Sequence, residues 1–369
     1  MDIKVLAGIG AVLAMVAIVV LPRWVAPRHL FESHAARLGV ENEIRRTIIQ
    51  MLGGSFVLAT VFFTYETVRI SQESLRLTER GQITERFTRA IDQIGGDKLD
   101  VAIGGIYALG QIAQESKTEH VPIMNILETY IHEHSPALTR DNCETEELPI
   151  DVQAALTVIG NRNLAFEDDE TVIDLEGVHL ATGDFSGGNY EHVEFSNSCL
   201  YGADFRDAQL NGVNFESKRH TPSDLSRSGT NLNLATFEGA QAAGADFSAV
   251  EASPISMDGA DLKGADFYFA DLGDNAPGIN SRSDLSGADL RGADLRNADL
   301  TFVIFKGSDL RDADLRDADL PFVIFKRTDL RGADLRGADM KRAFVDREEL
   351  EDALTNASTR FPWTARDER

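Results

Sequence analysis

The hydrophobic pattern of this chain changes character twice. Two apolar runs come first, VLAGIGAVLAMVAIVVLP at 5–22 and TIIQMLGGSFVLATVFFTY at 47–65, the second with Gln50 as its one strongly polar interior residue. Eighteen residues at helical rise reach about 27 Å, close to the hydrocarbon thickness of a bilayer. The first run is long for a signal peptide, and no A-x-A site ends it. The pair predicts a transmembrane α-helical hairpin embedded in a lipid bilayer. The competing reading is a cleaved signal followed by a single anchor. Beyond residue 66 the spacing becomes helical: Ile83, Phe87, Ile91 and Ile94 share one face, with Gly81 as a weak point. The stretches 99–116, 121–135 and 148–161 also read as helices, and 136–147 as an exposed acidic loop.

From 173 the period is five. Apolar centres run Leu175, Leu180, Phe185, Tyr190, Phe195 and onward to Met340, with a last weak copy at Val345. Two residues before each centre stands a small residue, usually Ala, with Asp between them. Five matches neither the helical nor the strand period. It suits a chain that turns a corner every five residues and closes a square coil every twenty. TFVIFKGSDLRDADLRDADL (301–320) and its near-copy PFVIFKRTDLRGADLRGADM (321–340) are then two coils stacked in register. Leu and Phe fill the interior, Ala takes the second inward position, and the residues between face solvent. The register breaks at 216–231 and 273–284, where loops are expected.

GADLRGADLRNADL at 287–300 resembles the A(D/N)LXX consensus of the pentapeptide-repeat family. The resemblance covers 173–345 and implies a right-handed quadrilateral β-helix. About eight coils at a strand spacing of ~4.8 Å would make a rod roughly 38 Å long. The tail STRFPWT at 358–364 and the order of two spans, TERFTRAIDQIG and repeats are similar to bacterial membrane-bound members. In the first block Ile173, Val178, Gly183, Gly188, Val193, Ser198 and Val213 replace Ala, which predicts less regular coils there. The fold class expected is therefore mixed. A transmembrane hairpin (1–66) and an α-helical connector (67–172) lead into the β-solenoid (173–345) and a C-terminal capping helix with tail (346–369).

Charge narrows the function. The chain carries 60 acidic and 36 basic residues, formally −24. That disfavours direct nucleic-acid binding, which needs Lys and Arg for phosphate. The acidity is uneven: 173–272 has 16 acidic and 5 basic residues, 283–345 has 12 and 11. In the second block the Asp294, Asp314, Asp334 column runs beside an Arg296, Arg316, Arg336 column, a self-compensating surface. No calcium-binding β-roll pattern accompanies the aspartates. His132 and His134 point to different sides of a helix, so with His120 they read as solvated residues and no metal is expected. Cys143 and Cys199 form no CxxC and no disulfide framework, and read as two ordinary thiols.

A packed interior leaves no pocket, so no catalytic residue and no cofactor is expected. In FVIF the inward pair is Val303 and Phe305, which turns Phe302 and Ile304 outward. Phe322, Ile324 and Phe344 repeat this above them. The resulting apolar column reads as a site for an unknown protein partner or a second copy, or as a surface covered by 346–354. The expected function is a non-catalytic, membrane-anchored scaffold for protein–protein interaction. The alternative follows from the family: some soluble members mimic DNA and bind DNA gyrase, and the acidic half could do so. The cationic residues flanking the spans are nearly balanced, five in the connecting loop against four outside it. The expectation is an inner-membrane protein with a cytoplasmic repeat domain.

Overall fold

The computed structural model describes residues 3–25, 34–136, 143–168, 170–217, 229–273 and 282–363. Two compact units emerge, Met1–Thr84 and Glu85–Arg369. The first holds α1 (Ile3–Val25), which contains the first apolar run, and the larger part of α2 (His34–Ile94), which contains the second. Gly81 does not interrupt α2. The part of α2 from Leu38 onward is long and apolar enough to cross a membrane, and none of its most apolar window is buried by protein. Phe56, Phe62 and Phe63 all project outward. Such a helix is compatible with a membrane anchor or a signal sequence.

In the second unit the expected connector helices form as α3 (Leu99–Glu115), α4 (Lys117–His134) and α5 (Ile150–Gly160). Their apolar stripes meet through Ile106, Leu109, Ile123, Leu127, Leu156 and Ile159, all fully buried. The Ser116 side chain caps α4 by accepting from the Glu119 backbone N–H. Gly105 lets α3 lie against the end of α2, because a Cβ there would stand 2.8 Å from the Ala90 carbonyl oxygen.

From Ile173 the chain winds as a right-handed β-helix. Single-residue parallel bridges form four ladders, each advancing twenty residues per coil, as in Asp294↔Asp314↔Asp334. Most centres close a tight turn: the Leu285 carbonyl accepts from Ala288 N–H, and Gly287 between them has φ +67°. That is the pattern of a type II turn, whose third residue must be left-handed. Asn297, Asp312 and Asp317 adopt the same conformation without being glycine. The ladders cross both breaks. Cys199 pairs with Asn231 and Ser256 with Asp284, so insertions of twelve and eight residues leave the register intact. The breaks themselves, 218–228 and 274–281, lie outside the described residues.

The first block is as regular as the rest, contrary to the sequence expectation. Asp174↔Glu194↔Asn214 and the other three ladders keep the twenty-residue step. The departures from Ala match what each coil holds. A Cβ on Gly183 would meet the Phe185 ring at 2.7 Å, and one on Gly188 the Tyr190 ring at 2.5 Å. Glycine at these two places makes room for large rings. Two stacks of phenyl rings fill this half: Phe185, Phe205 and Phe237 in one, Phe195, Phe215, Phe247 and Phe267 in the other.

The connector closes the lower end of the solenoid. A first coil has backbone N–H groups with no coil beneath to accept them, an exposed edge that must be satisfied. Here Asp174 N–H donates to Glu128, His179 N–H to the Ser135 carbonyl, Asp184 N–H to Gln153 Oε1 and Asn189 N–H to the Gly160 carbonyl. Each of the four ladders thus begins on the helical connector. At the upper end, the expected capping helix is replaced. Among the described residues of this segment, only Arg347–Leu350 is helical, as a 3₁₀ turn, after which Leu354 pairs with Asp334 and Arg360 with Asp339. The chain continues the solenoid past 345 because Leu354 and Arg360 pair with the coil below.

Two expectations about single residues are overturned. Cys143 and Cys199 are bonded to each other, with Cα atoms 5.7 Å apart. The acidic segment is outside the described residues at 137–142, but Cys143 is buried rather than exposed. The sequence separation of 56 hid a contact that coil formation creates. His120 is fully buried rather than solvated. Its Nε2 meets Glu167 Oε1 at 2.9 Å and its Nδ1 the Ala113 carbonyl at 3.0 Å. Arg162 donates to the same carboxylate oxygen at 2.7 Å and to the Asn189 and Glu191 carbonyls of the first coil. This triad ties α4 to the solenoid. His132 and His134 hydrogen-bond separate carbonyls, those of Asp174 and Tyr130.

Candidate interaction surface

The ladders give the solenoid faces of different chemistry. On the face bearing Asp289, Asp309 and Asp329, each carboxylate accepts from the Arg two residues on: Arg291 Nη2 to Asp289 2.8 Å, Arg311 to Asp309 2.5 Å, Arg331 to Asp329 2.6 Å. Each lower Arg also reaches the carboxylate one coil up, as Arg291 to Asp309 at 3.6 Å. The Asp294, Asp314, Asp334 face repeats this, Arg296 lying 3.7 Å from Asp314. Like charges stacked at one coil spacing would repel, and the interleaved guanidinium groups offset that.

This arrangement shifts acidity in opposite directions on two ladders ten residues apart, which lie on opposite faces. The hydrogen bond from Arg291, with help from Lys263, holds Asp289 down to about 2. Burial first, then the like charges of Asp299 and Asp339, raise Asp319, which stands in a ladder without an adjacent Arg column. A depressed carboxylate stabilises the fold above its unfolded value of about 3.9, and that stability is lost as pH falls toward the folded value. Asp289→Asn should therefore lose less stability than the parent between pH 4 and 2. The difference should be no more than about 1 kcal/mol, because the pair is solvent-screened. Denaturant midpoints of the full chain in detergent, taken across that range, check it. An equal slope in both proteins would count against the pairing.

A third face is different. Its outward residues are Asp284, Ile304, Ile324 and Phe344, joined in one ladder. At the corner beside it stand Arg282, Phe302, Phe322 and Arg342, again twenty residues apart. The Phe302 and Phe322 rings stack at 4.6 Å and 8°. Arg282 covers Phe302 from below at 5.4 Å, and Arg342 covers Phe322 from above at 5.3 Å. A guanidinium at each end of a ring stack is favourable by cation–π attraction. Phe302 and Phe322 both take left-handed turn positions, φ +66° and +63°, where smaller residues usually stand. The corner is thus partly self-satisfied, and its rings are half-buried.

Ile304 and Ile324 are also half-buried, while Phe344 is 61% exposed. The segment 346–354 leaves Phe344 open. Above it lies a cleft of about 510 Å³ lined by Lys326, Phe344, Asp346, Glu349 and Trp363. Trp363 stacks with Phe361 and lies under Arg347. The far edge of the face carries Lys306, Lys326 and Arg327. Among the described residues the side chains of Lys306, Lys326, Arg282 and Arg342 have no carboxylate partner, and Arg327 meets one through its backbone N–H, which donates to Glu349 at 2.5 Å; Arg291, Arg296, Arg311, Arg316, Arg331 and Arg336 all pair with aspartates. The structure therefore brings together all five residues expected from the sequence: Phe302, Ile304, Phe322, Ile324 and Phe344. Sequence reasoning missed the flanking cations, although the spacing of 282, 302, 322 and 342 carried the signal.

A parallel β-helix with a corner every fifth residue and an aliphatic or aromatic interior defines a narrow class of repeat folds. The pentapeptide-repeats family pattern matches in eight copies, over 184–216, 281–317 and 308–345. The chain belongs to the pentapeptide-repeat family. No curated protein matches it. Among solved structures it is similar to a pentapeptide repeat protein from the Arabidopsis thaliana thylakoid lumen, at 30% identity over 35% of this chain and 81% of that one, with TM-score 0.22. A pentapeptide repeat protein from Nostoc Pcc 7120 is 32% identical over 30% of this chain and 75% of that one, with TM-score 0.16. QnrB1, described as a plasmid-mediated fluoroquinolone resistance protein, is 18% identical in a trypsin-treated form, over 50% of this chain and 87% of that one, with TM-score 0.28.

Proposed function

We propose that this chain is a membrane-anchored, non-catalytic scaffold that binds a protein partner through the apolar face of its β-helix. The anchor is a hairpin of α1 and the apolar part of α2, and the β-helix is quadrilateral, with one ladder per side. The observation that carries the reading is the contrast between faces. Two faces neutralise their charges internally, while the third leaves Ile304, Ile324 and Phe344 outward beside Lys306 and Lys326, which have no carboxylate partner among the described residues. Exposed apolar surface of this kind marks interaction sites. The solenoid interior, filled by Leu and Phe side chains at or near zero exposure, supports a role without turnover. The Cys143–Cys199 bond favours the oxidising side of the membrane over the cytoplasmic side expected from the sequence. That location also disfavours the gyrase reading, which retains only the acidity of 173–272.

Ile304→Ser with Ile324→Ser should weaken the native assembly by about tenfold or more, since two anchors at a hydrophobic contact are lost. Native gels of mild-detergent extracts from the natural membrane read this as a shift to lower mass. Asp309→Ser with Asp329→Ser, on a compensated face, serves as control. An assembly mass unchanged by the isoleucine substitutions would refute this site.

A further inference from the structure

We infer that the occupant of this face is an amphipathic α-helix with an acidic flank, lying along the solenoid axis. The inference rests on the interaction-scaffold reading above and specifies its partner.

Two observations select this chemistry. The first is charge. The chain is strongly acidic, yet this face is bordered by Lys306 and Lys326, whose ammonium groups have no carboxylate partner among the described residues. Cations left uncompensated in a protein that pairs eight arginines with aspartates among its described residues complement carboxylates from outside. The second is spacing. Equivalent side chains on the face repeat once per coil, at about 4.8 Å. Helix neighbours at i+3 and i+4 advance about 4.5–6 Å along the axis, so successive turns meet successive coils. An extended strand repeats on one face only every ~6.7 Å and falls out of step. A flat ladder of single outward side chains is also the surface on which a helix packs in layered folds. Across one coil the order is Phe302, Ile304, Lys306, and across the next Phe322, Ile324, Lys326. A helix seated on this strip would lay its apolar stripe on the aromatic and isoleucine side, with carboxylates toward the lysines. Asp346 and Glu349 beside Phe344 bound the strip at its upper end.

The test uses the full chain in detergent micelles and two synthetic 18-residue helical peptides. Both carry a leucine stripe; one is flanked by glutamates, its twin by lysines. Fluorescence anisotropy should show the glutamate peptide binding at least about tenfold tighter, as expected for two or more charge contacts. Lys306→Glu with Lys326→Glu should reverse the preference, a rescue that a folding defect cannot produce. Equal binding of the two peptides by the parent, or a preference that survives the reversal, would overturn the inference. So would concentration-dependent self-association that the reversal abolishes and the peptide does not compete, which would make the occupant a second copy. Binding of anionic vesicles in place of the glutamate peptide would make it a lipid surface. If the isoleucine substitutions leave the native assembly intact, the scaffold reading itself falls. If they dissolve it while the peptides show no preference, only the helix assignment falls.

Discussion

Phe247→Ala should destabilise the β-helix by about 3–5 kcal/mol, the range for large aromatic deletions in a packed core. Phe247 is completely buried. Its ring stacks on Phe215 at 5.0 Å and on Phe267 at 4.9 Å, both nearly parallel, and meets Phe237 edge-on at 5.6 Å. The deletion removes three aromatic contacts together with the buried area of the ring. Relaxation cannot absorb much of the void. Each coil is held at fixed height by its ladder, Phe247 N–H donating to Asp266 O at 2.7 Å and Asp246 N–H to Val213 O at 2.9 Å. Collapse around the site would stretch those bonds on two coils. In a solenoid each repeat depends on its neighbours, so the loss should appear as local opening around the middle coils before global unfolding. Limited proteolysis and hydrogen exchange near residues 229–267 would show it. Protection there equal to the parent's would mean that the phenyl stacks contribute far less than their burial implies.

The same regularity explains what the sequence disclosed. A period of five determines which side chains point inward, so Phe247 and Leu295 are legible as core from spacing alone. A period of twenty determines which outward residues are stacked, so the Asp–Arg ladders and the FVIF face are legible too. Contacts outside the period are hidden. Gln153 completes the lower edge because its side-chain amide presents the same donor and acceptor as a backbone strand, bonding both Asp184 N–H and Asp184 O. Nothing in LPIDVQAALTVIG marks that glutamine out. His120, Arg162 and Glu167 meet only after α4 docks under the first coil, and their residue types alone suggest surface. The C-terminal segment misled for a different reason. DREELEDAL has helix-forming composition, but the ladder accepts Leu354 and Arg360 as further rungs, and tertiary pairing overrides propensity.

Removing the Cys143–Cys199 bond should cost about 4 kcal/mol, felt where the connector meets the solenoid. The bond closes a loop of 56 residues, for which chain entropy sets that scale. Its position concentrates the effect. Cys199 lies on the ladder directly above His179, and His179 N–H is one of the four edge groups satisfied by the connector, through Ser135. The bond therefore pins the segment after α4 beside the contact that starts this ladder. Cys143→Ser and Cys199→Ser should each lower the denaturant midpoint by the same amount as reducing agent lowers the parent's, and reductant should not move either variant further. A parent insensitive to reductant would show that the bond adds nothing to stability. The proposed location outside the cytoplasm rests on the same bond. Disulfides persist where the surroundings are oxidising and are rare where thiol buffers hold cysteines reduced. Blocking free thiols in intact cells before lysis should leave this pair unmodified, and a reporter fused after Arg369 should be active only outside the cytoplasm. Alkylated cysteines with a cytoplasmic reporter would return the β-helix to the cytosol. The partner helix would then have to be sought among soluble proteins rather than in the envelope.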